Sequence, residues 1–425
     1  MLQHLSIFFS TFAIADALWN HAVIPVPLAA PLAAPSSRHA VVKRETGTCI
    51  FSGAQGYLSA NGSKPDCSTI VLSDMTVPGG TTLNLSQLND GTTVSPKFFI
   101  QEIYTDVLIE VIFRGNITFG YSEWLGPLFS VSGNKIVVKG EPGSFLDGQG
   151  ALYWDGKGGA GGKLKPKFFK AHFLNDSILD SITLLNSPKN SFSLDHINNL
   201  TVINITIDGR AGDALGKNSD GFNVNNANGL LITGAKVWNQ DDCYAMNSGS
   251  NIVFENGFCS GGHGLSVGSF GLIMNSTGIS MNSTGLPSNA TGPVKPPVIS
   301  NVTFRDCVME KSQQSIRIKT NANAIGAVTN ITYRNIAISG GTSYGIVVDQ
   351  AYNGVHGHPT DWVNVTNFVL QNVTGTVLPR AVNVLVECGV GTCRDWKWEG
   401  VNITGGKRAM NTTRPCQNVP QGVSC

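Results

Sequence analysis

Apolar and polar residues alternate along this chain in short runs, each entered from Asn or Gly and left through another turn residue. The runs read NKIVVKGEP, NNLTVINITIDG, NGLLITGAKVWN, SNIVFENGFCSG, ISNVTFRDCVME, VTNITYRNIAISG and VNVTNFVLQNVTG. A period of two with β-branched residues predicts strands, and helical periodicity is almost absent. The phrases recur every twenty to thirty-odd residues, roughly the repeat of stacked supersecondary units. A sandwich would show Asn-Gly hairpin dipeptides between paired strands, and a propeller would need longer four-stranded blades. The pattern therefore predicts an all-β chain folded as a right-handed parallel β-helix, a solenoid with Ile, Val and Leu inside and Asn at left-handed turns.

Composition narrows this picture. The chain has 425 residues, a net charge of +1 and only 13% charged residues, so it lacks the basic footprint of a nucleic-acid binder. MLQHLSIFFSTFAIADA reads as a signal peptide over residues 1–17, too short to anchor in a membrane. A Pro/Ala-rich stretch over 18–44 reads as a pro-segment ending at the dibasic pair Lys43-Arg44, which leaves 45–425 as one catalytic domain. Acceptor sequences for N-glycosylation abound, among them Asn61, Asn84, Asn116, Asn204, Asn301, Asn330, Asn402 and Asn411. The nine cysteines fall into close pairs that read as disulfides: Cys49-Cys67, Cys243-Cys259, Cys388-Cys393 and Cys416-Cys425. Cys307 is left over as a buried thiol, and the outer two pairs stand where a solenoid needs end caps. The expected product is a secreted, extracellular monomer.

The candidate chemistry lies on the middle repeats. NQDDCYAMNSG places Asp241 and Asp242 side by side; KNSDGFNV one repeat earlier holds Asp220, and CSGGHGLSVGS one repeat later holds His263. SIRIKTN puts Arg317 and Lys319 two apart, hence on one strand face, and YGIVVDQAY ends at Tyr352. In a solenoid these positions stack into one groove. Carboxyl groups flanking a glycosidic bond divide the work between acid and base, with a pair roughly 6.5–9.5 Å apart where a water must fit between them. Repulsion raises one carboxyl so that it keeps a proton at mildly acidic pH. The two cations suit a sugar that itself carries a carboxylate. Adjacent aspartates point to opposite faces of a strand, so Asp241-Asp242 should occupy a strand end or bend.

At NSD (Asn218 to Asp220), QDD (Gln240 to Asp242), GHG (Gly262 to Gly264) and RIK (Arg317 to Lys319) the chain resembles the polygalacturonases, especially the fungal endo-acting ones. FGYSEWLGPLFSVSG, KPKFF and CGVGTCRDWKW extend the resemblance over nearly everything after Arg44. It implies hydrolysis of α-1,4 bonds of polygalacturonate with inversion, without metal or other cofactor. By matching position it implies Asp241 as general acid with the raised carboxyl, and Asp220 and Asp242 as the groups that position and activate water. His263 then tunes the acid, while Arg317, Lys319, Tyr352 and Asn218 bind galacturonate. An exo-acting polygalacturonase, a rhamnogalacturonase-like hydrolase of branched pectin, and a pectin-binding homologue without turnover are the alternatives. A pectate lyase would need a calcium site and an Arg base, and the QDD and GHG motifs point away from it. The chain departs from the family at Ser219 (usually Thr), at Asn223 (usually Asp) and after Ser269, where a Gly-Gly-Arg loop gives way to an Asn/Ser/Pro-rich insertion.

Overall fold

The computed structural model describes residues 47–88, 109–274, 280–281 and 296–425. The leader, the pro-segment with Lys43-Arg44, and the acceptors Asn275, Asn282 and Asn289 lie outside the described residues. Among the described residues strands dominate, with one short α-helix at Gly56–Ser63. They form three ladders of parallel strands, in which each strand pairs with its counterparts one repeat before and one repeat after. The first ladder runs through Phe129–Asn134, Phe169–Asp180, Phe192–Ile203, Phe222–Thr233, Tyr244–Met246, Leu265–Phe270, Gln314–Asn321, Tyr344–Tyr352 and Val382–Glu387. The second includes Gly249–Glu255, Val298–Glu310, Ala324–Gly341 and Val363–Val377. The third is made of pieces as short as Thr206–Asp208, Lys236–Trp238 and Phe258–Ser260.

Parallel register stacks like on like, and the core shows it. Phe129, Phe169, Phe192 and Phe222 are wholly buried, each beside the next with ring centroids 4.5, 4.8 and 5.3 Å apart. At one turn Asn330, Asn301, Asn251 and Asn228 form a ladder of side-chain amides at 3.1, 3.1 and 2.7 Å. Asn251, Asn301 and Asn330 have φ of 58°, 55° and 55°, the left-handed region in which Asn is the most tolerated residue after Gly. Alternation along each strand buries one set of side chains and turns the other outward. On the first ladder that outward set makes a row running through Lys170, Ser193, Asn223, Ala245, Ser266 and Arg317. A second row two residues on carries His172, Asp195 and Asn225.

Four disulfides join Cys49 to Cys67, Cys243 to Cys259, Cys388 to Cys393, and Cys416 to Cys425; Cys307 is free and buried. After Phe270 the insertion begins with Leu272–Met274, which pairs antiparallel with Ser280–Met281 and with Ala324–Gly341, against the parallel grain of the fold. Among the described residues no helix is long and apolar enough to cross a membrane.

Candidate active site

Asp241 and Asp242 sit in the bend between Lys236–Trp238 and Tyr244–Met246, so strand alternation does not force them apart. The bend is fixed on both sides. Gly221 N–H donates to the Asp242 carbonyl at 2.8 Å, and His263 N–H donates to the Asp241 carbonyl at 2.8 Å. Three successive turns carrying Asp220, Asp241-Asp242 and His263 are thus bonded into one stack. The Cys243–Cys259 disulfide ties this stack to the third ladder. The GHG motif follows from close approach. A Cβ on Gly262 would stand 2.0 Å from the Asp241 carbonyl oxygen, and Gly264 adopts φ +72°.

Asn218, Asp220, Asp241, Asp242, His263, Arg317, Lys319 and Tyr352 all line one cleft of about 240 Å³. A larger hollow of about 790 Å³ at the C-terminal end holds no acidic side chain and lies among Asn383, Trp398 and Asn402. Within the cleft Asp242 is almost wholly covered. Lys319 Nζ lies 2.6 Å from its Oδ2, Ser266 Oγ donates to its Oδ1 at 2.5 Å, and Arg317 stands 3.6 Å away. The Tyr352 ring lies under both cations, 5.2 Å from the Arg317 guanidinium and 5.3 Å from Lys319 Nζ. Asp241 is more accessible and accepts from His263 Nδ1 at 3.0 Å and from Asn218 Nδ2 at 3.2 Å. Asp220 accepts from Asn190 at 3.0 Å and from Asn223 at 2.9 Å. An Asp at position 223 could not donate that bond and would add a further negative charge.

The electrostatics correct one expectation. The raised carboxyl is Asp220, pushed up to about 7 by burial and then by the charges of Asp241 and Asp242. Burial also opposes the charge on Asp241. The hydrogen bond and charge of His263, then Lys319 and the Asp242 N–H, outweigh it and hold Asp241 down to about 2. Burial and like charge thus favour the protonated form of Asp220, while its neighbours favour the ionised form of Asp241. Asp241, Asp242 and His263 each bring a donor atom within 4.8 Å of the others. Those three could be read as metal ligands, but Lys319 already neutralises Asp242 and His263 is already bonded to Asp241. Asn218 also has partners within the protein. Its amide donates to Asp241 and its Oδ1 accepts from Gly159 N–H at 2.8 Å, so it braces the acid as well as lining the cleft.

Sequence reasoning missed Ser266, Asn190 and the bonding role of Asn223. Ser266 stands between Ala245 and Arg317 in the outward row, a register visible only once the strands are paired.

The sequence model of the glycosyl hydrolases of family 28 matches residues 67–425. The chain is 43% identical over 417 residues to endopolygalacturonase I of Aspergillus aculeatus, covering 98% of this chain and 99% of that one. It is 45% identical over 409 residues to an endo-polygalacturonase of Sclerotinia sclerotiorum, covering 95% and 96%. Among solved structures, endopolygalacturonase I of Stereum purpureum, complexed with two galacturonates, superposes with a TM-score of 0.69 at 34% identity, covering 85% of this chain and 95% of that chain.

Proposed function

The chain belongs to the glycosyl hydrolases of family 28, and we propose that it is an endo-acting polygalacturonase that hydrolyses α-1,4-galacturonosyl bonds with inversion. The observation that carries this reading is the convergence of three carboxyl groups and two cations on one cleft. The cations alone would suit any anion, and the carboxyls alone any sugar; together they specify an acidic sugar. The four disulfides and the apolar leader support secretion. The three parallel ladders support a right-handed parallel β-helix, with the cleft on the outer face of one ladder.

The mechanism assigns Asp241 as acid because, of the three carboxyls, it is the one bonded to an imidazole, at His263 Nδ1. A polysaccharide seated in the cleft expels water, and loss of solvation penalises the imidazolium–carboxylate pair. The proton then passes from Nδ1 to Asp241 and on to the leaving oxygen. Asp242, ion-paired to Lys319 and Arg317, accepts the proton of the attacking water, and Asp220 holds that water. Arg317 and Lys319 grip the substrate carboxylate over Tyr352.

Two results are expected. Proton NMR of the first product should show the inverted anomer; retention would reject this division of labour. The second concerns Asp220. Folding raises its carboxyl from the ordinary 3.8 to about 7, so the native state binds an extra proton across that window and stability falls as pH rises through it. Asp220→Asn should flatten this fall and raise the melting temperature more at neutral pH than near pH 4. In the wild type, ionisation of Asp220 also adds a negative charge facing a polyanion, so KM for polygalacturonate should climb as pH passes about 7. A KM that stays level across neutrality would contradict the assignment.

A further inference from the structure

Lys319 has a second carboxylate close by besides Asp242. Strand pairing puts Lys319, Asp349 and Glu387 at one register position on three successive strands of the first ladder. They share a face, with about 4.8 Å between neighbouring backbones. Asp349 and Glu387 are buried, Glu387 completely. Yet the Lys319 ammonium turns to Asp242 at 2.6 Å, and among the described residues no ion pair joins it to Asp349. The reason lies in the last segment of the chain. Arg414 follows the final strand, Lys397–Thr404, and stands just before Cys416, whose disulfide to Cys425 closes the tail. Gln417 N–H donates to the Val386 carbonyl at 2.8 Å, which lays this tail along Val382–Glu387. From there Arg414 donates through Nε to Glu387 Oε1 at 3.0 Å, and through Nη2 to Glu387 Oε2 and to Asp349 Oδ2, the last at 3.1 Å. Asp349 Oδ1 is taken by the Ala351 N–H at 2.8 Å. Charges thus alternate from Asp242 through Lys319, Asp349 and Arg414 to Glu387.

We propose that Arg414 is a positioning residue for the reaction: it occupies Asp349 and so leaves Lys319 to Asp242 and to the substrate. This rests on the polygalacturonase reading and extends it to a residue outside the cleft lining. The cause is electrostatic. A covered carboxylate without a cation is costly, so an ammonium on the next strand is drawn to it. Without Arg414, Asp349 is such a carboxylate beside Lys319. Movement toward it withdraws the ammonium from the base that receives the water's proton and from the sugar carboxylate. Arginine suits the post because its planar fork spans two carboxyls at once, which a lysine does not. Glu387 has a different part: it anchors the guanidinium and lies one strand further from Lys319.

The test compares Arg414→Gln with Arg414→Gln/Asp349→Asn and Arg414→Gln/Glu387→Gln on polygalacturonate. Arg414→Gln should lower kcat roughly tenfold, a middling coupling for charges in one network, and raise KM about two- to threefold. Adding Asp349→Asn removes the competitor and should return kcat to within about threefold of wild type. Adding Glu387→Gln should instead raise the melting temperature, because it removes the fully buried charge, and leave kcat low. Arg414→Lys keeps the charge and should hold kcat within about threefold. If Arg414→Gln does not fold, the two double variants, each with one carboxylate left unpaired, are compared directly. The one carrying Asp349→Asn should then turn over roughly tenfold faster. An unchanged kcat in Arg414→Gln, or equal recovery in both double variants, would reduce Arg414 to a staple of the tail and overturn the proposal. A wild type without turnover on polygalacturonate would instead remove the polygalacturonase reading on which it rests.

Discussion

Asp241→Asn lowers kcat on polygalacturonate by roughly 10²- to 10⁴-fold, the usual contribution of a positioned general acid, and leaves KM within about a factor of two. The asparagine keeps the shape of the carboxyl and can still bond to Asn218, but it has no proton to give to the leaving oxygen. The substrate's carboxylate is gripped elsewhere, by Arg317 and Lys319, so binding survives. Steady-state kinetics on the purified variant, with equilibrium binding of the polymer alongside, separates the two quantities. A variant that loses binding in step with turnover would mean that Asp241 holds the substrate and some other group delivers the proton.

Lys319→Met carries the second large effect, and it is not confined to binding. The ammonium lies 2.6 Å from Asp242 Oδ2, and that carboxylate is almost entirely covered. Removing it leaves a buried charge facing only the more distant Arg317 guanidinium and the Ser266 hydroxyl. Breaking a buried pair in this way costs ~3–5 kcal/mol, and the remaining Arg317 puts the expectation at the low end. Chemical denaturation should show that loss, KM should rise, and kcat should fall because the water-activating carboxylate is perturbed. Adding Asp242→Asn to Lys319→Met should recover much of the stability and none of the activity. If the single variant changes KM alone, Asp242 does not depend on Lys319.

Much of the scaffold could be read from the sequence because solenoid coils are locally encoded. Alternating β-branched runs with Asn punctuation carry the strand pattern without any tertiary information, and Arg317 and Lys319, two apart, must share a strand face. The bend at Asp241-Asp242 was also legible, since a strand would have sent the two carboxyls to opposite sides. The proton's position was not. It depends on Asp220 being buried beside two other carboxyls while His263 and Lys319 favour the charge on Asp241, and those neighbours come from separate turns of the chain. Ser266 was hidden for a similar reason. A serine in an apolar run has no signature until strand register places it under Asp242. The meaning of Asn223 was inverted: as a departure from the family it looked like a lost charge, whereas in the cleft it is a donor to Asp220.

The central claim, that this cleft cuts acidic galacturonan from within, is tested most directly by following viscosity and product length together during digestion of polygalacturonic acid at mildly acidic pH. The account predicts a steep early drop in viscosity with mixed oligomers released, and little of either on fully methyl-esterified pectin, which lacks the carboxylates that Arg317 and Lys319 grip. Slow thinning with a single small product, or esterified pectin cut as fast as the free acid, would contradict it.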